Sequence, residues 1–93
     1  MKIEKLILSN GPVNGWYPSI CNMSGTLQWE HTDNENVIFG SPDWENDAGI
    51  TPFAVCDVNG DYNDITSIEL DGTLEEKYNQ YKDVLAQIIN TLI

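Results

Sequence analysis

The sequence contains no arginine, and its four lysines are confined to the two ends of the 93-residue chain. Lys2 and Lys5 precede a central stretch that holds thirteen aspartates and glutamates and no basic residue, and Lys77 and Lys82 follow it. The formal net charge is −11. A surface of one negative sign repels nucleic acids and anionic membranes, and it attracts basic protein surfaces. We therefore expect a basic protein as the partner, with no binding of nucleic acid or membrane.

The chain also lacks the groups that most enzymes use. His31 is the only imidazole, and we expect it to be structural or partly exposed beside Trp29. A nucleophilic serine or cysteine needs a nearby base, and a closed zinc site needs more ligands than one histidine and two separated cysteines supply. No glycine-rich phosphate loop occurs in the sequence. We expect a protein that is not an enzyme and that uses no cofactor or metal.

One segment has part of the spacing of a calcium-binding loop. Asp57, Asn59 and Asp61 match its first three oxygen ligands. Tyr62 stands where that loop requires glycine, and Ile68 stands where it requires a bidentate glutamate. The flanking sequences favour strands, so we predict a hairpin turn at this segment.

No export signal is visible near the N-terminus. The apolar run Leu6–Leu8 is shorter than the core of a signal peptide and far shorter than a membrane span. We expect a cytoplasmic protein, in which Cys21 and Cys56 are free thiols in a reducing environment. A disulfide between the two cysteines is the alternative, and it would require an oxidising compartment.

Despite its charge, the chain has the composition of a folded protein. Its hydrophobic content is 41%, with three Trp, four Tyr and two Phe. Disordered acidic segments lack such aromatic content. A chain of this length forms a single domain, and we assign residues 1–93 to one acidic domain.

The last third of the sequence predicts a helix over residues 73–92. Thr73 and Glu76 have the spacing of a capping box, in which each side chain bonds to the backbone N–H of the other residue. Apolar residues then recur three or four positions apart, which is typical of one face of an amphipathic helix. These are Leu74, Tyr78, Tyr81, Leu85, Ile88, Ile89 and Leu92.

The segments before this helix predict strands. Residues 52–58 and 61–70 flank Asn59-Gly60, a strong hairpin signal when both turn residues have positive φ. A second hairpin is predicted from residues 26–32 and 37–40, with its tip at 33–36.

Two other segments are assigned by local pattern. We expect Lys2–Leu8 to form a further strand, with a helical turn as the alternative, and Ser41-Pro42 to start one short helical turn. Ser9–Ser19 reads as a turn-rich loop. The predicted fold class is α+β: a small antiparallel β-sheet of four or five strands with one C-terminal amphipathic helix packed on a face.

Acidic and aromatic residues are concentrated between Trp29 and Asp47, where six acids and two tryptophans occur without a basic residue. Loops often carry recognition residues. The predicted partner-binding residues are Glu30, Asp33, Glu35, Asp43, Trp44, Glu45 and Asp47. Trp29 is less suited to an interface, because its alternation with Leu27 predicts burial. The acidic segment Asp57–Asp71 is the alternative surface.

In size and acidity the chain resembles the immunity proteins of bacterial toxin systems, including those of contact-dependent growth inhibition. The resemblance implies an antitoxin that blocks the active site of a basic toxin, such as an RNase or DNase, and it assigns no residue. The alternative is a phage inhibitor of host defence, of the anti-restriction or anti-CRISPR kind, that mimics nucleic acid. An acidic domain with an unrelated cellular role is a third interpretation.

Overall fold

The computed structural model describes residues 3–42 and 50–93. Its elements are α1 (Ile3–Asn10), β1 (Tyr17–Ile20), β2 (Leu27–His31), β3 (Asn34–Gly40), β4 (Ile50–Cys56), β5 (Tyr62–Glu69) and α2 (Leu74–Leu92). The strands form one sheet in the order β1-β2-β3-β4-β5, and every neighbouring pair is antiparallel. The predicted α+β class, with a five-stranded antiparallel sheet and a C-terminal helix, is confirmed.

The predicted capping box begins α2. The Glu76 backbone N–H donates to Thr73 Oγ1 at 3.2 Å, and the Thr73 N–H donates to Glu76 Oε1 at 3.1 Å. The bonds from the Thr73 backbone and hydroxyl lower the pKa of the Glu76 carboxyl. The buried residues of α2 all belong to the predicted apolar stripe: Tyr81, Leu85, Ile88 and Ile89.

The strand predicted at Lys2–Leu8 is wrong, because the N-terminal segment forms α1. Ile3 and Ile7 lie one helical turn apart and are both buried in the core that α2 also lines. Ser9 Oγ and Asn10 Nδ2 donate to the Leu6 carbonyl and close the helix end. Continuous apolar runs do not distinguish helix from strand by periodicity, so tertiary packing decides the outcome here.

The predicted β4–β5 hairpin is confirmed, but its turn differs from the expected one. Gly60 alone has positive φ, at 84°, whereas Asn59 does not. The Gly60 N–H donates to the Asp57 carbonyl at 3.0 Å, so Asp57 is the first residue of a four-residue turn. Asp57 Oδ1 also accepts the backbone N–H groups of Asn59 and Asp61. The Asp57 carboxylate therefore organises the turn.

The β2–β3 hairpin is confirmed with a tighter tip than predicted, at Thr32-Asp33. Asn34 begins β3, where it pairs with His31 of β2, and its side chain makes hydrogen bonds at both of its polar atoms. Its Nδ2 donates to the Leu92 carbonyl near the end of α2, and its Oδ1 accepts the Asn36 N–H, both at 2.9 Å. The expected helical turn after Ser41-Pro42 falls in residues 43–49, which lie outside the described part of the chain.

The predicted turn-rich loop Ser9–Ser19 overlaps strand β1, Tyr17–Ile20, which was not predicted. Val13 and Trp16 exchange backbone hydrogen bonds at 2.9 Å immediately before it. Trp16 is buried, whereas Tyr17 is 57% exposed. The pair of adjacent aromatics is thus divided between the core and the surface.

The core lies between the sheet and the two helices. Trp29, Ile38 and Val55 are register partners on adjacent strands and are all buried on this inner face. The Trp29 Nε1–H donates to the Tyr81 hydroxyl at 2.9 Å, which links β2 to α2. Neither helix in the described residues is both long and apolar enough to cross a membrane. Cys21 and Cys56 are free thiols.

Candidate protein-binding surface

The sheet face that points away from the helices is called the outer face here. One set of register partners crosses all five strands on this face: Ser19, Gln28, Phe39, Ala54 and Asp64. Cross-strand partners project to the same side, and the next residue along each strand projects to the other. This row is adjacent to the buried row of Trp29, Ile38 and Val55, so it faces away from α2.

Three exposed carboxylates lie on the outer face. Glu30 is the register partner of the exposed Tyr17, and its Oε1 accepts the Gln28 Nε2–H at 3.0 Å. Asp64 pairs with Ala54, and Glu69 pairs with Ile50. None of the five strands contains a lysine or arginine, so no basic side chain of the sheet opposes these charges.

The two hairpin turns add acidic residues at one end of the sheet. The β2–β3 and β4–β5 turns lie at the same end because β2, β3, β4 and β5 are sequential antiparallel neighbours. Asp33 and Glu35 are exposed at the first turn, and Asp61 is exposed at the second, with Asp57 half-buried beside it. Part of each acidic segment noted in the sequence therefore lies at this end: Asp33 and Glu35 from the first, and Asp57 and Asp61 from the second.

The structure describes three of the seven predicted partner-binding residues. Glu30 lies on the outer face, and Asp33 and Glu35 lie at the adjoining turn. The other four, Asp43, Trp44, Glu45 and Asp47, lie outside the described residues. Trp29 is 1% exposed, which confirms that it belongs to the core.

Charge is divided between the two layers of the fold. Outside the helices, the described residues include eight carboxylates and no lysine or arginine: Glu30, Asp33, Glu35, Asp57, Asp61, Asp64, Glu69 and Asp71. The lysines of the described residues, Lys5, Lys77 and Lys82, are all on α1 or α2. The negative field is therefore strongest on the side of the sheet and its turns.

A groove of about 330 Å³ is present on the outer face across β3, β4 and β5. It is lined by Thr26, Phe39, Gly40, Ser41, Pro52, Ala54, Tyr62 and Asp64. The rings of Phe39 and Tyr62 lie 5.4 Å apart, and Ala54 is only 4% exposed. Burial, followed by the charge of Asp64, raises the pKa of Tyr62.

This groove was not predicted from the sequence. The alternation Tyr62-Asn63-Asp64 was a usable signal, because it places an aromatic ring and a carboxylate on one face of a strand. Their position opposite Phe39 depends on the pairing of β3, β4 and β5, which the sequence alone did not fix.

His31 has a structural position in the β2–β3 turn. Its Nδ1 accepts the Asp33 backbone N–H at 2.9 Å, and its ring lies 5.5 Å from that of Trp16. Across residues 3–42 and 50–93, no group of three or more His, Cys, Asp or Glu side chains is arranged to hold a metal ion.

No protein-family model, curated protein or solved structure matches the chain. The charge, exposure and shape of the surface are therefore the basis for a functional proposal.

Proposed function

We propose that this protein is a non-enzymatic acidic inhibitor, of the immunity or antitoxin type, that binds and blocks a basic toxin, most naturally a nuclease. The binding surface in this proposal is the outer face together with the two adjoining hairpin turns. The observation that carries it is the division of charge: eight described carboxylates outside the helices have no basic residue among them.

Nuclease active sites fit this surface by charge. A cleft that holds polyphosphate is lined by lysine and arginine, which pair well with carboxylates. An acidic surface steers such a partner into place and speeds association. The binding also relieves repulsion among the inhibitor's own carboxylates, since the sheet has no internal basic residue to offset them.

Exposed aromatic residues supply the second requirement of a stable complex. Charge at the rim mainly raises the association rate, while desolvated aromatic anchors slow dissociation. Tyr17 and Tyr62 are 57% and 58% exposed. Tyr17 pairs with Glu30, and Tyr62 lies two residues before Asp64, so both tyrosines stand close to carboxylates of the outer face.

The test is stoichiometric inhibition of the basic protein that co-purifies with this chain from its native cell. The nuclease activity of that protein is measured as purified chain is added. We expect the activity to be lost completely at a fixed molar ratio of the two proteins. Lack of inhibition at saturating binding contradicts the proposal. Recovery of a large nucleoprotein complex that recognises nucleic acid favours the mimic of nucleic acid instead.

Two variants with equal net charge make the test specific to a surface. The outer-face variant carries Glu30→Gln and Glu69→Gln. The helix variant carries Glu75→Gln and Asp83→Asn, which remove two exposed carboxylates from α2. The outer-face variant should inhibit more weakly than the helix variant, because both lose the same charge but only one loses it at the proposed interface.

A further inference from the structure

We propose that the groove between Phe39, Tyr62 and Asp64 receives one long cationic side chain, a lysine or arginine, of the basic partner. This inference rests on the proposed function for the source of the side chain. The groove assignment concerns the chemistry of the site itself and is tested separately.

The walls of the groove suit the stem of such a side chain. Phe39 and Tyr62 form an aromatic pair with ring centroids 5.4 Å apart, and Ala54, the register partner of Phe39, also lines the groove and is 4% exposed. Lysine and arginine bury their methylene stems on apolar surface while the charged group stays in contact with water. An aromatic face also attracts the cation itself.

The charge at the groove is negative. Asp64 is exposed at the groove and is close enough to Tyr62 to contribute to the raised pKa of that hydroxyl. A bound cation would face a carboxylate and an aromatic ring together. No strand carries a lysine or arginine that could occupy this position from within the sheet.

The size of the groove favours one side chain over a larger ligand. At about 330 Å³ it lies near the lower end of the range of roughly 300–1,000 Å³ for small-molecule sites. Drug-sized ligands and cofactors are held in more enclosed sites with several converging polar groups. Among the described residues that line the groove, Asp64 and Tyr62 are the only ionisable ones. This lining selects a ligand by its charge more than by its shape.

The experiment uses NMR on the whole ¹⁵N-labelled chain and needs no native partner. The probe is the peptide acetyl-Gly-Gly-Arg-Gly-Gly-amide, and the ligand control is the same peptide with neutral citrulline in place of arginine. Addition of peptide should change the amide chemical shifts of Ala54, Tyr62 and Asp64. The change per unit of peptide concentration should be about two to five times larger for the arginine peptide than for the citrulline peptide. The same peptide with lysine in place of arginine should change the chemical shifts of the same amides.

The variant Asp64→Asn should reduce the arginine response at Ala54 and Tyr62 toward that of citrulline, because the carboxylate is lost while the aromatic rings remain. Asp83→Asn is the matched control, because it removes one exposed carboxylate of the same chemistry on α2, away from the groove and the proposed binding surface. The control should leave the response unchanged. Equal responses to both peptides, or equal losses in both variants, would overturn the assignment.

The groove assignment and the proposed function can fail independently. If the arginine peptide does not perturb the groove although the chain inhibits its partner, the groove assignment is refuted and the proposed function stands. If the peptide binds in the groove but the chain inhibits no partner, the groove assignment is supported and the proposed function is refuted.

Discussion

Trp29 and Tyr81 are 52 residues apart in the sequence, yet the indole N–H of Trp29 donates to the Tyr81 hydroxyl at 2.9 Å in the core. The same hydroxyl donates to the Gly40 carbonyl at 2.5 Å. One buried oxygen therefore connects β2, β3 and α2. The helix is therefore fixed across the inner face of the sheet, and neither helix of the described residues covers the outer face.

Tyr81→Phe should destabilise the protein by roughly 1–3 kcal/mol, because it leaves the Trp29 N–H and the Gly40 carbonyl without their partner. Urea unfolding followed by circular dichroism gives the free energy. Tyr78→Phe is the matched control on the same helix: Tyr78 is only partly buried, and its hydroxyl makes no hydrogen bond within the described residues. Equal losses in the two variants would contradict this assignment.

The buried Tyr81 should also make stability fall at high pH. Burial raises its pKa in the folded state above the ordinary value of 10.0. The folded state then holds a proton that the unfolded state releases, so the contribution is complete below pH 10 and declines as pH rises above it. Unfolding from pH 9 upward should show a steeper decline in the wild type than in Tyr81→Phe. Parallel declines would show that another group is responsible.

Gly40 is required by close packing. A Cβ atom at this position would lie 2.7 Å from Phe53 Cε1 and 3.0 Å from the Tyr81 hydroxyl oxygen. Gly40→Ala should therefore cost on the order of 1–3 kcal/mol. Gly40→Ala should cost less stability in a Phe53→Leu background than in the wild type, because Phe53→Leu removes the nearest ring atoms. A strictly additive double variant would show that the clash is not with Phe53.

Asp57 should act as a turn residue without calcium. Its Oδ1 accepts two backbone N–H groups, so Asp57→Ala should lower the melting temperature while Asp57→Asn, which keeps an acceptor oxygen, should lower it less. Millimolar calcium should leave the wild-type melting temperature unchanged. A calcium-dependent rise that Asp57→Ala abolishes would restore the calcium-loop interpretation.

The features predicted correctly are those set by neighbouring residues. Thr73, Glu76 and the apolar stripe define α2 locally, and Asn59-Gly60 marks the β4–β5 hairpin even though only Gly60 adopts positive φ. The N-terminal helix and β1 were missed for a different reason. Ile3 and Ile7 suit either a strand or a helix, and the glycines and the single proline before Tyr17 concealed a strand that forms by pairing with β2.

The candidate surface was predictable only in part. Sequence proximity grouped Glu30, Asp33 and Glu35, and the fold places them on the outer face and its adjoining turn. The sequence did not indicate that Asp61 and Asp64 belong to the same surface, because their position there depends on the pairing of β3, β4 and β5. The register between strands is a property of the whole sheet, so it could not be inferred from the positions of charged residues along the sequence.

The most direct test of the proposed function compares the rates at which variants of this chain associate with a basic protein that co-purifies with it. The outer-face variant and the helix variant have the same net charge, so a difference between them reports the location of the interface rather than overall attraction. We predict that the outer-face variant associates several-fold more slowly and loses part of its salt dependence, whereas the helix variant stays close to wild type. Equal association rates and equal salt dependence for the two variants would contradict the assignment of the outer face as the binding surface.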